Sequence, residues 1–220
     1  MVAAGRSPSR TREATMAEKI PLSVAIITKD EAANLPDCLK SVSFAKQIVV
    51  VDSGSSDGTL EIAGKFCCEV CSESWKGFGP QKQMAIDRCR EAWVLVLDAD
   101  ERIPPETQTA IRAVVSAGEG DAEGYSFPRK NFFQGRWIRH LGWWPDRITR
   151  LFRNGKGRMT EAAVHEAVTG NGQVAALEAP IEHYTESRLS EVLKKSDRYS
   201  TLAAEEAYRE GRTSSAAGAL

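Results

Sequence analysis

The stretch Trp93–Glu101, WVLVLDADE, joins an apolar run to a cluster of acids. Five apolar residues stand in a row, and three carboxylates follow within four positions. An uninterrupted apolar run is typical of a strand buried on both faces of a parallel sheet. Carboxylates so close together repel one another, and burying one is costly unless a cation or hydrogen-bond donors meet it. The stretch therefore predicts a buried strand whose carboxyl end meets positive charge.

The pattern around this strand predicts an α/β fold with a mostly parallel sheet and flanking helices, because β-branched runs alternate with helical patterns from Pro21 onward. The predicted strands are Leu22–Thr28, Gln47–Asp52, Glu69–Cys71, Trp93–Asp98, Gly124–Arg129 and Gln173–Ile181. The predicted helices are Glu31–Val42, Thr59–Phe66, Gln81–Arg90 and a segment from Pro104 to Ser116. The region Asn131–Thr160, rich in Gly, Arg and Trp, is expected to form long loops with short strands.

Length and composition predict one folded domain with appendages. The chain has 220 residues, 42% of them hydrophobic and 27% charged, with a formal net charge of -1, as in ordinary soluble proteins. We expect residues 1–19 to form a disordered tail and residues 20–185 to form the domain. Residues 186–220 are expected to form an amphipathic helical segment at the carboxyl terminus, because apolar residues recur there at helical spacing.

The five cysteines, Cys38, Cys67, Cys68, Cys71 and Cys89, are an odd number in a chain whose amino terminus has no apolar secretory core. We expect reduced thiols and a cytoplasmic protein. A zinc site near Cys67 is not favoured, because no second Cys/His pair completes it. No apolar run reaches the roughly 18 residues that a membrane span needs.

Basic residues are concentrated between Tyr125 and Thr160, where nine lysines and arginines stand against one acid, Asp146. A cationic stretch of this kind indicates an anionic partner. Nucleic acid is not favoured, because the overall charge is near zero and the basic residues lie in one region.

Two strand ends carry the residues that indicate chemistry. The segment Val49–Thr59, VVVDSGSSDGT, places Asp52 at a strand end, before a small, glycine-containing loop that could approach a nucleotide. A plain strand-to-helix turn with Asp57 as the helix cap is the alternative.

The second strand end carries Asp98 and Asp100, which point to the same side of an extended chain. Carboxylates at this spacing suit Mg²⁺ or Mn²⁺ completed by substrate phosphates. The alternative is a solvated loop in which Asp100 caps the following helix.

These segments together resemble the family 2 glycosyltransferases. The resemblance rests on TKDEAANLPDCLKSV, VVVDSGSSDGT and WVLVLDADE, and it spans about Pro21 to Arg212. Four further segments, GFGPQKQMAIDRC, LGWWPDRITRLFRNG, VHE and DRYSTLAAEEA, resemble the lipopolysaccharide core glucosyltransferase branch of that family. The resemblance implies a single catalytic domain with the glycosyltransferase-A fold.

The resemblance also implies roles for individual residues. Asp98 and Asp100 match the family's metal motif, with Asp100 as the more direct ligand and Asp98 also facing the nucleotide sugar. The family binds the nucleotide sugar at positions that correspond here to Thr28, Lys29, Glu31, Asp52, Ser53 and Lys82. This chain departs from the family pattern at Ser53, where many members have a second acid, and at Gln83, where Asn is usual.

The resemblance places the catalytic base at Glu166, within the VHE segment, with Asp146 as the second candidate. A surface ion pair is the alternative for Glu166, and turn capping is the alternative for Asp146. The resemblance also implies inversion at the anomeric carbon by direct displacement, without a glycosyl-enzyme intermediate.

Aromatic and basic residues in the cationic region are candidates for binding the acceptor. Trp143 and Trp144 could stack on sugar rings, and Arg147 and Arg150 could bind phosphate or carboxylate. Two alternatives remain open: tryptophans that anchor loops beside solvated arginines, and contact with the headgroups of a membrane. The last would place the protein peripherally on the cytoplasmic face of the inner membrane.

The sequence thus predicts a metal-dependent, inverting glycosyltransferase. Its expected donor is UDP-glucose or another UDP-hexose, and its expected acceptor is a lipopolysaccharide core or a related anionic glycolipid. A non-catalytic nucleotide-sugar-binding module is one alternative. An Asp-x-Asp phosphatase is another, disfavoured because such enzymes carry the motif on the first strand and follow it with Thr or Val rather than Glu101.

Overall fold

The computed structural model describes residues 18–118, 122–160, 168–170 and 172–185, together with some of the residues between 193 and 211. Residues 1–17 of the predicted tail and most of the predicted carboxyl-terminal helical segment lie outside the described residues. Within the described part of the chain, no helix combines the length and the apolar character that a membrane crossing requires.

The first half of the chain forms the predicted parallel layer. Its strands are β1 (Ile20–Thr28), β2 (Ala45–Asp52), β3 (Glu69–Ser72) and β4 (Trp93–Asp98), and its helices are α1 (Leu35–Ser41), α2 (Thr59–Lys65) and α3 (Phe78–Ile86). The strand order is β3-β2-β1-β4, all parallel. Apolar side chains fill both faces, so β1 and β4 are buried almost completely.

The second half extends the same sheet with strands of mixed direction and adds a separate antiparallel pair, Arg158–Met159 with Val168–Thr169. The elements are β5 (Glu101–Arg102), α4 (Pro105–Ser116), β6 (Ala122–Phe133), β7 (Arg136–Trp137), β8 (Asp146–Arg153), β9 (Arg158–Met159), β10 (Val168–Thr169), β11 (Gln173–Ala176) and β12 (Ile181–Tyr184). The sheet continues from β4 through β8, β6 and β12 to β5, and β8 is antiparallel to both of its neighbours.

Several of the predicted elements need correction. The helix expected at Gln81–Arg90 runs from Phe78 to Ile86, and the strand expected at Gly124–Arg129 runs from Ala122 to Phe133. The first helix begins at Leu35 rather than Glu31, because Pro36 is best accommodated in a first helical turn. The region 131–160 holds an eight-residue strand, β8, which lies inside the sheet rather than in a loop. The sequence gives no clear strand pattern here because the charged Arg150 is buried beside Leu151 and Phe152. The expected strand Gln173–Ile181 is two strands, β11 and β12, which both pair with β6.

Two apolar clusters pack against the opposite faces of the sheet. The larger includes Leu35, Leu39 and Ile111 from the helices on one face, and the smaller includes Ala85 and Ile86 of α3 on the other. Packing on both faces leaves the carboxyl ends of the parallel strands as the edge where polar groups collect.

Candidate active site

The candidate site lies where the direction of strand addition reverses. From β1 the chain adds β2 and β3 on one side and then returns to place β4 on the other side of β1. The register brings Ile27 opposite Asp98, so the loops after β1 and β4 begin side by side. Such a reversal opens a crevice at the carboxyl ends of a parallel sheet, which is where α/β proteins bind ligands.

One side of the crevice is a cradle formed by the loops after β1 and β2. The buried Asp52 carboxylate accepts hydrogen bonds from the backbone N–H groups of Gly54 and Ser55, both at 2.8 Å, and from the hydroxyls of Thr28 and Ser55. Burial alone would raise the pKa of Asp52, but the Ser55, Thr28 and Gly54 hydrogen bonds hold it below its usual value. Ser53 donates its N–H and its hydroxyl to the Thr28 carbonyl, so the predicted nucleotide residues Thr28, Asp52 and Ser53 form one hydrogen-bonded unit.

The same two loops are linked by reciprocal bonds further from the sheet. Asp30 accepts from the Ser56 N–H at 2.7 Å and donates its own N–H to the Ser55 hydroxyl at 2.8 Å. The Glu31 N–H donates to the Thr59 hydroxyl at 2.9 Å, and Lys29 donates to the Gly54 carbonyl. Lys29 and Glu31 thus lie beside the predicted nucleotide loop.

Asp57 binds both loops of the cradle. Its carboxylate accepts from the Thr59 N–H and from the Ala32 N–H, both at 3.0 Å. The N-cap residue of α2 is Gly58, with no side-chain capping bond, so Asp57 links the two loops and is not the helix cap that we considered as an alternative.

The other side of the crevice is a charged edge after β4, where Asp98 meets two cations of the protein itself. Lys82 Nζ lies 2.6 Å from Asp98 Oδ1, and Arg150 Nη2 lies 2.7 Å from Asp98 Oδ2. Partial burial would raise the pKa of Asp98, but the charges of Lys82 and Arg150 hold it well below its usual range. Both carboxylate oxygens of Asp98 are thus already paired.

Asp100 faces a different partner. Its Oδ2 lies 3.2 Å from His183 Nε2, and the other ring nitrogen of His183 lies 2.7 Å from Asn131 Oδ1. Burial lowers the pKa of His183, but the hydrogen bond to Asp100 and the nearby carboxylates leave it above its ordinary value. Asp100 does not cap α4. The N-cap residue of α4 is Pro104, and no side chain makes a capping hydrogen bond there.

Three cations of the protein therefore neutralise three carboxylates at this edge. Lys82 pairs with Asp98, Arg150 is shared by Asp98 and Glu101, and Arg129 lies 2.6 Å from Asp146. Among the residues that the structure describes, only His183 lies within salt-bridge distance of Asp100.

The donor set fits a divalent cation at Asp100 and His183. A carboxylate and an imidazole are common ligands of Mn²⁺-type ions, and the Asn131 contact at Nδ1 would leave Nε2 to face the ion. The described part of the chain contains no group of three His, Cys, Asp or Glu residues suited to a metal ion. Two protein ligands leave positions for phosphate oxygens and water.

Asp146, the second candidate base, begins β8 and is held by neighbours. Its Oδ2 accepts hydrogen bonds from Arg129 Nε at 2.9 Å and Nη2 at 2.6 Å, and Asn131 Nδ2 lies 3.3 Å away. Arg129 thus already occupies the Asp146 carboxylate. Glu166, the first candidate, lies in the segment 161–167, outside the described residues.

The candidate acceptor residues do not form one patch. Arg150 is buried and points into the charged edge, so the structure does not place it on an acceptor-binding surface. Arg147 lies on the protein surface, where it pairs with Glu178 at 2.6 Å. Trp144 packs edge-on against Trp137, with ring centroids 5.1 Å apart, whereas Trp143 is exposed.

Four residues of this site had no assigned role in the sequence: Glu101, Arg129, Asn131 and His183. Glu101 carried a signal, since it is the third acid of WVLVLDADE and needed a cation as much as its neighbours did. His183 is one of three histidines in the chain and follows an apolar strand start. Arg129 and Asn131 carried no local signal, because their partners lie on other strands.

Comparison with known proteins decides the family. The model of the glycosyl transferase family 2 domain matches residues 23–171, about two thirds of the chain. The chain belongs to glycosyl transferase family 2. It is therefore a glycosyltransferase, and the resemblance stated from its motifs is confirmed.

Similar proteins agree with this assignment. The chain is 31% identical to the lipopolysaccharide core biosynthesis glycosyltransferase LpsC of Rhizobium meliloti (strain 1021) over 209 residues, 90% of this chain and 75% of LpsC. It is also 26% identical to the uncharacterized glycosyltransferase RP128 of Rickettsia prowazekii (strain Madrid E), over 87% of this chain and 69% of that protein. LpsC carries the lipopolysaccharide core name that the motifs indicated.

Solved structures confirm the glycosyltransferase-A fold. TarS 1-349 of S. aureus aligns with a TM-score of 0.52 at 16% identity, over 74% of this chain and 60% of that one. Glucosyl-3-phosphoglycerate synthase of Mycobacterium tuberculosis, in complex with Mn²⁺, UDP and phosphoglyceric acid, aligns with a TM-score of 0.56 at 15% identity, over 89% and 80%. At these identities the likeness concerns the fold.

Proposed function

We propose that the protein transfers a hexose, with glucose as the first candidate, from a UDP-sugar to a lipopolysaccharide core or a related anionic glycolipid, with inversion and with a divalent cation. The observation that carries the proposal is the unequal pairing of the two acids after β4. Asp98 is already neutralised by Lys82 and Arg150, whereas Asp100 has His183 beside it. The edge therefore keeps a carboxylate and an imidazole for a cation, at the crevice where this fold binds its ligands.

The donor and the metal are supported by two kinds of observation. The loops after β1 and β2 form a rigid, small-residue cradle beside the charged edge, suited to a nucleoside. TarS has been solved in complex with UDP-GlcNAc, and glucosyl-3-phosphoglycerate synthase in complex with UDP and Mn²⁺. The acceptor class rests on the name of LpsC and on the basic region of this chain.

The residues of the site divide the work of sugar transfer. A bound Mg²⁺ or Mn²⁺ supplies charge relief for the departing diphosphate, and Asp100 and His183 would hold it. Asp98, fixed by Lys82 and Arg150, faces the nucleotide sugar without competing for the cation. The proposed base is Glu166, which would take the proton of the attacking hydroxyl, with Asp146 as the alternative.

A loop around residues 134–144 supports contact with an anionic membrane surface. We define the exposed loop as this segment, in which Leu141 is 95% exposed and Trp143 is 40% exposed. Several basic residues of the 125–160 region are paired within the protein: Arg129, Arg147, Arg150 and Lys156. No ion pair is seen in the described chain for Lys130, Arg136 or Arg139, and two of them lie over Trp137, at 4.1 Å for Arg139 and 5.3 Å for Lys130.

Three of the basic residues without an ion pair in the described chain therefore lie on or beside the exposed loop, next to apolar side chains, whereas Arg153 and Arg158 lie on β8 and β9. That combination suits the interface of an anionic bilayer, where the glycolipid acceptor would be found. We propose peripheral attachment at this loop, on the cytoplasmic face of the inner membrane.

A transfer assay tests the proposed function. The protein would be incubated with UDP-glucose, UDP-GlcNAc, GDP-mannose or dTDP-glucose and a lipopolysaccharide core acceptor, with Mg²⁺, Mn²⁺ or EDTA. We expect UDP release and labelled acceptor only with a UDP-hexose and a divalent ion. Transfer that survives EDTA, or that occurs only from GDP- or dTDP-sugars, would contradict the proposal.

A further inference from the structure

Glu101 is fully buried and closes a ring of interactions around Asp98. Its Oε1 accepts a hydrogen bond from Arg150 Nη2 at 2.7 Å, and its Oε2 accepts from the backbone N–H of Asp98 at 3.0 Å. The same Arg150 Nη2 lies 2.7 Å from the Asp98 carboxylate. The main chain and the side chain of Asp98 are thus both held, one by Glu101 and the other by Arg150.

Glu101 also connects Asp98 to the pair Asp100 and His183. It lies on β5, where it is the register partner of His183 on β12. The adjoining Tyr184 N–H donates to the Asp100 carbonyl at 2.9 Å. A shift of Glu101 would therefore move the turn that carries Asp100 and the strand that carries His183.

Stability alone does not explain why ions occupy this position. Buried ion pairs gain little over well-packed apolar residues of the same volume, because desolvation offsets their attraction. A buried carboxylate between two arginines does fix orientation, since each loss of a partner leaves an unpaired charge. Arg129 Nη1, at 3.7 Å from Glu101 Oε1, adds a second cation on the same side.

We propose that Glu101 and Arg150 are positioning residues. They keep Asp98 paired with the protein's own cations and thereby leave Asp100 and His183 to bind the divalent ion. Neither residue touches the substrate. The inference rests on the proposed metal-dependent donor binding and deepens it, because it assigns roles to a residue without one and to an arginine first considered for the acceptor.

The charge balance around Arg150 gives the expected consequence. In Glu101→Gln the amide keeps the volume, and its oxygen can still accept from the Asp98 N–H, but one negative charge is removed. Arg150 then has Asp98 as its remaining close carboxylate, and the edge gains one net positive charge. A divalent ion is repelled more strongly there, whereas a nucleotide without metal is not.

The test measures UDP binding by calorimetry over a Mn²⁺ series. For Glu101→Gln we expect the Mn²⁺ concentration that gives half-maximal UDP affinity to rise at least tenfold, with metal-free UDP affinity changed less than about threefold. Glu106→Gln, the same change at an exposed position in the first turn of α4, is the control and should match the wild type. Glu101→Asp, which keeps the charge, should recover part of the loss.

Arg150→Lys covers the case in which Glu101→Gln does not fold. It keeps the positive charge but shortens the reach to two carboxylates, so we expect a smaller shift of the Mn²⁺ dependence in the same direction. Equal losses of metal-dependent and metal-free UDP binding, in step with a lower melting temperature, would overturn the inference. An unchanged Mn²⁺ dependence in both variants would also overturn it, whereas a wild type that binds UDP without any metal effect would overturn the proposed function itself.

Discussion

The two halves of the sheet do different work at the same crevice. The parallel half, β3-β2-β1-β4, supplies a cradle in which Asp52 and Asp57 bind only neighbouring loops. The mixed half, β8-β6-β12-β5, supplies Arg129, Arg150 and His183, which meet acids more than a dozen positions away along the chain. The Asp52 and Asp57 contacts also join segments 24 and 25 positions apart, so the two halves differ in the groups that pair. Backbone N–H groups and hydroxyls form the cradle, whereas charged side chains meet the acids of the edge.

If the second half of the chain carries the chemistry, substitution of the proposed base in that half should have the largest effect on turnover. We expect Glu166→Gln to lower the turnover at least a hundredfold while UDP binding persists, since a general base contributes typically 10²–10⁴-fold. The rate would be measured with saturating donor and acceptor. The companion variant Asp146→Asn should retain most of the turnover, and a reversed order of the two would transfer the role to Asp146.

The next effect concerns the two proposed ligands of the divalent cation, Asp100 and His183. Asp100→Asn and His183→Ala should each weaken Mn²⁺-dependent UDP binding by roughly tenfold or more, because each removes one proposed ligand. Titration of UDP with and without Mn²⁺ measures this. Asp37→Asn on α1, at an exposed acid paired with Lys40, is the matched control. Wild-type Mn²⁺ dependence in Asp100→Asn would remove the cation from this side of the edge.

Membrane contact should depend on the exposed loop and on no residue of the parallel half. In flotation with vesicles containing anionic lipid, Arg139→Ser should lower binding about fivefold, from roughly 1 kcal/mol for each basic residue at the surface. Trp143→Ser should act in the same direction, and Lys65→Ser on α2 should have no effect. Failure of the wild type to float with these vesicles at low salt would contradict membrane attachment at this loop.

The smallest effect should be on the stability of the cradle. We expect Asp52→Asn to lower the free energy of unfolding by about 1 kcal/mol at neutral pH, because part of the hydrogen bonding is lost. The folded-state pKa of Asp52 is lowered, so this contribution is present above about pH 4, its unfolded value, and is lost as the pH falls through the folded-state pKa. Urea unfolding of the wild type and of Asp52→Asn at pH 7 and pH 3 would measure the free energy of unfolding. An equal loss of stability in the variant at both pH values would contradict the prediction.

The parallel half could be predicted from the sequence because its signals are local. Continuous apolar runs gave β1, β2 and β4, and the small polar loop after β2 gave the cradle. The acids at Asp98 and Asp100 were also visible, and so was their need for positive charge. That charge proved to be, in large part, the protein's own Lys82 and Arg150.

The mixed half could not be predicted in the same way. Arg150 is buried within β8, at a position where an apolar residue would have indicated a strand. Because its charge is satisfied by ion pairs with distant acids, the sequence alone does not reveal the strand. The meeting of Asp100 with His183 depends on the pairing of β5 with β12, across 83 positions, which no local signal encodes. Family 2 membership and the fold were accessible from motifs, whereas the division of labour between Asp98 and Asp100 required the structure.

The most direct measurement is a crystal structure with UDP and Mn²⁺, with the ion located by its anomalous scattering. We predict Mn²⁺ bonded to Asp100 and His183, with Asp98 still on Lys82 and Arg150. An ion bonded to Asp98, with the Lys82 and Arg150 pairs broken and Asp100 turned away, would contradict this account.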